Sequence, residues 1–303
     1  MTPYNLETLN KRFGLADMLL FKEGPGGLPV VEVLNEQASA VIALQGAHLL
    51  QWVPAGEEPV IWLSPDAKFA TGKSVRGGVP VCWPWFGPHE QEAGFPAHGF
   101  ARTVPWEVFE TNANEDGSTT VGLRLLHSDA TRAQWPQASE LELYIRIGTT
   151  LELDLLTRNP GSSPITIGAA LHTYFQVSDI HQVSVVGLGD LEYIDKVDGG
   201  TRKRQQGPVT FGGEVDRIYF DHGGDCLIQD PGLQRRIRIH KRGSHSTVVW
   251  NPWIEKAGKM GDLGPDGYRH MLCVESANAA DDVVRIGPGG EHHLWMRYSV
   301  EHS

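Results

Sequence analysis

Apolar and polar residues alternate with a period of two over much of this chain. The clearest case is residues 139–160, SELELYIRIGTTLELDLLTRNP, where Leu and Ile alternate with Glu and Arg on both sides of a Gly-Thr turn. Such alternation describes strands with one face buried and one wet, as in antiparallel sheets. The same shape recurs in 103–112, a polar turn at 113–118, and 119–129. Upstream, 30–35, 38–54 and 59–64 alternate or run apolar over strand lengths, divided by Asn, Gly and Pro. Downstream, 163–177, 181–189, 216–221, 225–230, 235–243 and 246–252 continue the series. Residues 253–270 form a polar, Gly-rich excursion with one helical turn, and 268–278, 282–290 and 291–301 close the chain as strands. A short helix is expected within residues 5–20, with Leu6, Leu9 and Phe13 on one side. No linker, composition break or fixed repeat divides the series. The pattern predicts one all-β domain over 1–303, two large antiparallel sheets packed face to face.

One stretch breaks the alternation. Residues 76–102 read RGGVPVCWPWFGPHEQEAGFPAHGFAR. Its prolines exclude a helix or a long central strand. It reads as a rigid, aromatic-walled loop carrying Arg76, Arg102, His89 and His98. Glycine permits close backbone approach to a ligand and arginine offers a planar fork for an anion. Either the aromatics are core and the arginines surface charges, or the cluster is a binding site.

Composition narrows the classes. Glycine, 35 of 303 residues, exceeds the usual share of about 7% and favours many turns. The net charge is −11, and the longest basic run, Arg202-Lys203-Arg204, reads as a solvated loop. Nucleic-acid binding is therefore not expected. In so acidic a chain, paired arginines are informative about an anionic ligand. Cys82, Cys226 and Cys273 are odd in number and widely spaced, as expected of reduced, buried thiols. The N-terminus has no apolar signal core, and no apolar run approaches the roughly 20 residues of a membrane span. Cytoplasmic location is expected.

Two residues stand out for chemistry. His172 ends an apolar strand beside Thr173, Tyr174 and Phe175. It is either a hydrogen-bonded core histidine or a general acid. Glu275 follows Cys273 and Val274 in a segment that reads as buried. It is either paired with Arg269 or Arg285, or a general base raised by partial burial. Asp216 follows the same logic more weakly, with a turn cap or a pair to Arg217 as the alternative. His240, His245, His270, His292 and His293 lack metal-ligand spacing. There is no phosphate loop opening a helix and no GxSxG elbow.

Taken in order, RGGVPVCWPWFG, HGFAR, LHTYF, the Asp of EVDRIYF, VVWNPWIEKA and HMLCVESAN resemble the landmarks of the aldose 1-epimerase superfamily. More narrowly they are similar to the hexose-6-phosphate mutarotase (glucose-6-phosphate 1-epimerase) family. The resemblance runs from about residue 29 to 300. It implies a galactose-mutarotase-like supersandwich of large antiparallel sheets with few short helices. It also implies a cytosolic isomerase that interconverts the α and β anomers of glucose 6-phosphate without cofactor or metal. By the same resemblance His172 is the catalytic acid and Glu275 the catalytic base. Arg76 and Arg102 are substrate-binding arginines, Asp216 a sugar-hydroxyl ligand, and His98 stands in the motif beside Arg102. Some relatives carry Gln before the His-Gly pair, whereas this chain has Ala97, which leaves sugar preference open. The expected partner is a small-molecule sugar phosphate, with no nucleic acid and no membrane, and the chain is expected to act as a monomer. A non-catalytic carbohydrate-binding β-sandwich and a mutarotase for a neutral aldose are the rival readings. The His172–Glu275 pair argues against the first, the two arginines against the second.

Overall fold

The structure is a computed structural model describing residues 4–302. Two eight-stranded antiparallel sheets dominate it. The first runs, edge to edge, through Thr201–Arg204, Glu192–Asp195, Val215–Tyr219, Ser246–Asn251, Met271–Asn278, Ala169–Leu171 and Val81–Cys82, with Tyr174–Gln176 also paired to Met271–Asn278. We call it the site sheet. The second runs through Ser184–Val186, Cys226–Asp230, Arg235–Arg242, Glu291–His302, Leu151–Arg158, Glu140–Ile147, Thr119–Leu125 and Trp106–Ala113. A four-stranded sheet built from Leu19–Glu23, Pro29–Leu34, Ala38–Ala43 and His48–Pro54 adds to this, and Ile165–Ile167 pairs with Val284–Ile286. The expected all-β architecture is what the chain adopts.

Alternation produces the layers. Arg235–Arg242 is buried at Arg235, Ile237, Ile239 and Lys241, and less so between them. Its inward Ile237 and Ile239 join Leu153, Leu155, Leu294 and Met296 in one large core. Buried apolar area is the main force holding such layers together. Met271–Asn278 differs, because all its positions are buried. Leu272 and Val274 on one face face the core. The opposite face bears Cys273 and Glu275, both buried.

Several elements differ from the sequence reading. The helix near the N-terminus spans Leu6–Phe13 only, N-capped by Asn5, whose Oδ1 accepts from Thr8 N at 2.9 Å. Residues 19 and 20 belong instead to the strand Leu19–Glu23, paired with Pro29–Leu34. Residues 59–64 make isolated bridges, Ile61 with Phe175 and Leu63 with Gly77, rather than a strand. Residues 163–177 break into three short strands. Arg202-Lys203-Arg204 is an edge strand rather than a loop. Two of its three charges are neutralised by neighbours: Arg202 meets Glu192 and Asp281, and Lys203 meets Asp195 and Asp198. A charged edge strand resists pairing with another molecule. Two short helices, Asp129–Gln134 and Trp253–Lys259, complete the elements that bear on the site.

Candidate active site

The register of the site sheet explains why distant residues meet. Directly opposed residues of antiparallel strands lie on the same face. Asp216 opposes Trp250, which opposes Cys273, which opposes Tyr174. In the neighbouring row, Ile218 opposes Val248, and Val248 opposes Glu275. Leu171 opposes Ser276, so the next residue, His172, comes onto the Glu275 face. Thr173 points the other way and its hydroxyl meets Tyr298 OH of the second sheet at 2.6 Å. His172, Tyr174, Asp216, Trp250 and Glu275 thus line one cleft of about 290 Å³, together with Arg76, Phe86, His98, Arg102, Lys196 and Lys256. That volume is at the low end of the roughly 300–1,000 Å³ of ligand pockets, which suits a molecule of monosaccharide size.

At the floor, His172 Nε2 lies 3.3 Å from Glu275 Oε1. The Glu275 side chain is 1% exposed and that of His172 12%. His172 Nδ1 and Glu275 Oε2 are buried without a protein hydrogen-bond partner among the described residues. The imidazole stacks on the Tyr174 ring, centroids 5.0 Å apart at 15°, and meets Trp250 edge-on. Neither Arg269 nor Arg285 pairs with Glu275, for Arg269 is held by Asp179.

Burial governs the protonation of the pair. Desolvation drives the Glu275 carboxyl well above its ordinary range, and the Asp216 charge adds to this while Arg102 and Lys196 oppose it. Desolvation drives His172 well below the usual imidazole value, assisted by His98, Arg102 and Arg76. Both groups are pushed toward their neutral forms. Both shifts disfavour a resting imidazolium beside an ionised Glu275, and the two groups titrate as one coupled pair. Asp216 is likewise raised by burial, with Lys196 and Lys256 pulling it back. It does not pair with Arg217, which donates to Gln205. Its nearest cation is Lys256 at 4.0 Å.

The 76–102 loop surrounds this floor, but only part of it reaches the ligand space. Trp83 is fully buried against Phe100 and Trp135. Trp85 packs on His89 and Phe95. Of the aromatic run, only Phe86 lines the cleft, edge-on to His98 at 4.7 Å. His89 sits outside the cleft, its Nδ1 accepting from Glu92 N. His98 Nδ1 accepts from Gly87 N at 3.3 Å, which leaves the ring proton on Nε2 as a donor. Burial, and then the charges of Arg102 and Lys196, push His98 down to about 3, so it is a neutral donor.

Gly99 lets this loop close. It has φ +70° and a Cβ there would lie 1.9 Å from Trp83 O. Gly99→Ala should therefore destabilise the fold by about 1–3 kcal/mol or more. Urea unfolding measures this, and an unchanged midpoint would show that the loop yields freely.

The cations differ in their engagement. Arg76 Nε donates to Asp262 Oδ1 at 3.1 Å and Nη1 to Tyr174 OH at 3.0 Å. Burial works against its charge, but Tyr174 and Asp262 outweigh that. Lys256 pairs with Glu214 at 2.7 Å. Arg102 Nη2 donates to Ala97 O at 2.9 Å. Position 97 thus contributes its carbonyl to the site's framework. Lys196, Lys256, Tyr174 and Asp262 escaped the sequence reading. The two lysines sit in charged segments where nothing local separates them from solvated charges.

Donor atoms of His172, Cys273 and Glu275 lie within 4.8 Å of one another. Burial first, and then the Glu275 charge, raises the Cys273 thiol well above its ordinary value and keeps it protonated. Four nearby cations oppose a further one, so the set is ill suited to a metal ion. The three cysteines are free and buried, and among the described residues no helix is long and apolar enough to cross a membrane.

A family model described as aldose 1-epimerase matches residues 29–299. A protein of Escherichia coli (strain K12), named "Putative glucose-6-phosphate 1-epimerase", is 44% identical over 255 residues, 84% of each chain. A protein of the same name, from Cenchrus ciliaris, is 34% identical over 277 residues, 88% of this chain and 83% of its own. Among solved structures, a "putative mutarotase" from Salmonella typhimurium superposes with a TM-score of 0.89 at 37% identity, covering 96% of both chains. A galactose mutarotase related enzyme from Lactobacillus acidophilus, 15% identical over 90% of this chain and 97% of its own, shares the fold with a TM-score of 0.73.

Proposed function

The chain belongs to the aldose 1-epimerase family, and from that membership we propose that it is a hexose-6-phosphate mutarotase acting on glucose 6-phosphate. The observation that carries this reading is the His172–Glu275 contact of 3.3 Å at the floor of a cleft lined by Arg76, Arg102, Lys196 and Lys256. An acid–base pair suits proton exchange at a sugar's reducing end. The surrounding positive charge, in a chain of net charge −11, suits an anionic sugar. The names of the Escherichia coli and Cenchrus ciliaris relatives support the same substrate. The free cysteines agree with a reducing cytoplasm.

In this mechanism Glu275 takes the proton of the C1 hydroxyl while His172 gives one to the ring oxygen. The C1–O5 bond breaks, the aldehyde turns about C1–C2, and the ring recloses on the other face with the roles reversed. Ring opening leaves Glu275 protonated and His172 neutral, the direction in which burial pushes both groups. Reclosure returns a proton from Glu275 to the C1 oxygen and takes the ring-hydroxyl proton onto His172, which restores the starting state; transfer across the 3.3 Å contact exchanges that state with the neutral pair. Each proton-transfer group typically contributes about 10²–10⁴-fold. The Nε2–H of His98 is placed to donate to a sugar oxygen, and Asp216 to accept from a hydroxyl. Binding the phosphate away from C1 orients C1 and the ring oxygen against the acid–base pair.

NMR exchange spectroscopy of anomers tests the reading, with glucose, galactose and mannose 6-phosphates and free glucose. Faster exchange of glucose 6-phosphate is expected. Binding of sugar phosphates with no faster exchange would favour the carbohydrate-binding alternative, and preference for free glucose the neutral-aldose one.

The pH dependence follows from the shared proton. Gaining a second proton requires charging His172, which burial disfavours, so the acid limb lies below the ordinary imidazole value of 6.5. Losing the shared proton requires charging Glu275, so the alkaline limb lies above the ordinary carboxylate value of 4.5. The rate should therefore be bell-shaped in pH. A rate still rising through pH 9 would contradict one shared proton.

A further inference from the structure

The strand that carries His172 is interrupted at His172 itself. Leu171 opposes Ser276 and Tyr174 opposes Cys273, and the ladder skips the two residues between them. The Thr173 N–H turns back onto Leu171 O at 2.8 Å, closing a three-residue turn with His172 at its apex. On one side, His172 N and Tyr174 N donate to Pro80 O and Gly78 O, each at 3.0 Å. On the core side the turn is held through a side chain. Thr173 Oγ1 lies 3.3 Å from Leu171 O and 2.6 Å from Tyr298 OH. Tyr298 belongs to Glu291–His302, an inner strand of the second sheet. We infer that Tyr298, acting through Thr173, is a positioning residue for His172: the hydroxyl pair locks the turn that presents the imidazole to Glu275. The role rests on the acid–base reading above and deepens it from outside the cleft lining.

The chemistry of the pair favours a directional role over a packing one. Thr173 and Tyr298 are both fully buried. The Tyr298 ring packs edge-on against Phe175, centroids 5.0 Å apart, within the large apolar core. Burying two hydroxyls costs free energy that apolar groups of the same shape would not. Valine and phenylalanine would fill the same space, but they would lack direction. The 2.6 Å bond fixes where the Thr173 side chain points, and the backbone of the turn follows it. Tyr298 has one proton, and its acceptors are Thr173 Oγ1 and, 2.8 Å away, the weakly accepting Met296 Sδ. The two hydroxyl oxygens stay bonded in either arrangement, because Thr173 supplies the proton when Tyr298 does not.

His172 needs such support because its ring nitrogens provide little. Nδ1 is buried without a protein hydrogen-bond partner among the described residues, and Nε2 faces Glu275 at 3.3 Å. Stacking on Tyr174 and the edge of Trp250 set the plane of the ring. The turn sets how far the ring reaches toward Glu275. A misplacement of about 1 Å among reacting groups can cost about 10²-fold in rate. Tyr298 also lies close enough to feel the pair from behind. Burial first raises its phenol, the Thr173 bond opposes this, and the Glu275 charge raises it further. The phenol therefore stays protonated wherever the pair works.

Tyr298→Phe tests the role, because it removes one oxygen and keeps the ring. The saturated anomer-exchange rate of glucose 6-phosphate should fall about 10–10²-fold. KM should stay at the parent's value. So should the dissociation constant for glucitol 6-phosphate, a sugar alcohol that has no anomeric carbon and cannot turn over. Thr173→Val should match Tyr298→Phe, and Thr173→Ser should keep most of the rate. The double variant Tyr298→Phe/Thr173→Val should be no slower than either single one, since all three break the same contact. It should also regain the melting temperature that the single variants lose, because no hydroxyl is left unpaired. Regained stability with a slow rate is the mark of positioning. The ring resonances of His172 in the ligand-free protein need no turnover and should shift in every slow variant. A parental rate in Tyr298→Phe overturns the role. So does a rate that returns with stability in the double variant, or a loss carried by KM and glucitol 6-phosphate binding. A parent protein that exchanges no hexose 6-phosphate rejects the proposed reaction. Shifted His172 resonances in Tyr298→Phe would then still support the link to His172, and unshifted ones would overturn it.

Discussion

Glu275→Gln should lower the anomer-exchange rate of glucose 6-phosphate by about 10²–10⁴-fold, the usual contribution of a positioned proton-transfer group. Glutamine preserves side-chain volume at a position 1% exposed, so the packing around Val248 and Cys273 is retained. It cannot accept the C1 hydroxyl proton, and it cannot share a proton with His172. Because Glu275 is driven toward its neutral form, the amide also carries the charge that the buried site favours. The fold should therefore keep its stability or gain a little. Exchange spectroscopy and a thermal melt on the same sample separate the outcomes. Lost exchange with a retained melting temperature and retained glucitol 6-phosphate binding is expected. Exchange within threefold of the parent would remove Glu275 from the chemistry.

Arg102→Ala should have the next largest effect. Arg102 Nη2 is used on Ala97 O, and its remaining donors are free for a phosphate. Losing a charge-assisted hydrogen bond costs about 1.5–3 kcal/mol, which raises the KM for glucose 6-phosphate roughly 10–150-fold. The preference for glucose 6-phosphate over free glucose should shrink by a similar factor. Equal losses on both sugars would contradict a phosphate ligand. A second readout comes from His98, whose imidazole is pushed down to about 3 by burial and then by Arg102 and Lys196. Removing the guanidinium should let His98 titrate at higher pH, visible in its ring proton resonances. A loop that merely unfolded would instead expose His98 and scatter its contacts with Phe86.

These expectations rest unequally on sequence and structure. The alternation in 139–160 and 235–243 was enough for the antiparallel sheets, because a period of two commits each residue to a face. It also found nearly every long strand. Short elements defeated it. Glu192–Asp195 and Thr201–Arg204 lie among Gly, Asp and Lys, and so read as loop. Their strand state comes from pairing with Val215–Tyr219 and with each other. Residues 19 and 20 fall within the expected helix because leucine suits either period; pairing of Leu19–Glu23 with Pro29–Leu34 decides the matter.

The stretch 76–102 shows the same division. Its composition marked a binding loop, yet composition could not say which members face the ligand. The folded loop buries Trp83 and leaves Phe86 and His98 at the cleft. Likewise Arg76 and Arg102 looked equivalent along the chain. Asp262, 186 residues from Arg76, makes them different.

By itself the sequence determined the fold class and the family and singled out His172 and Glu275 as candidates for proton transfer, since each is carried by local pattern or motif. Only the tertiary structure decided which cations have carboxylate partners, that Lys196 lines the cleft, and that burial pushes both His172 and Glu275 toward their neutral forms. Ion pairing depends on contacts between distant segments, and proton placement depends on desolvation. Both exist only once the sheets and loops have closed around the cleft.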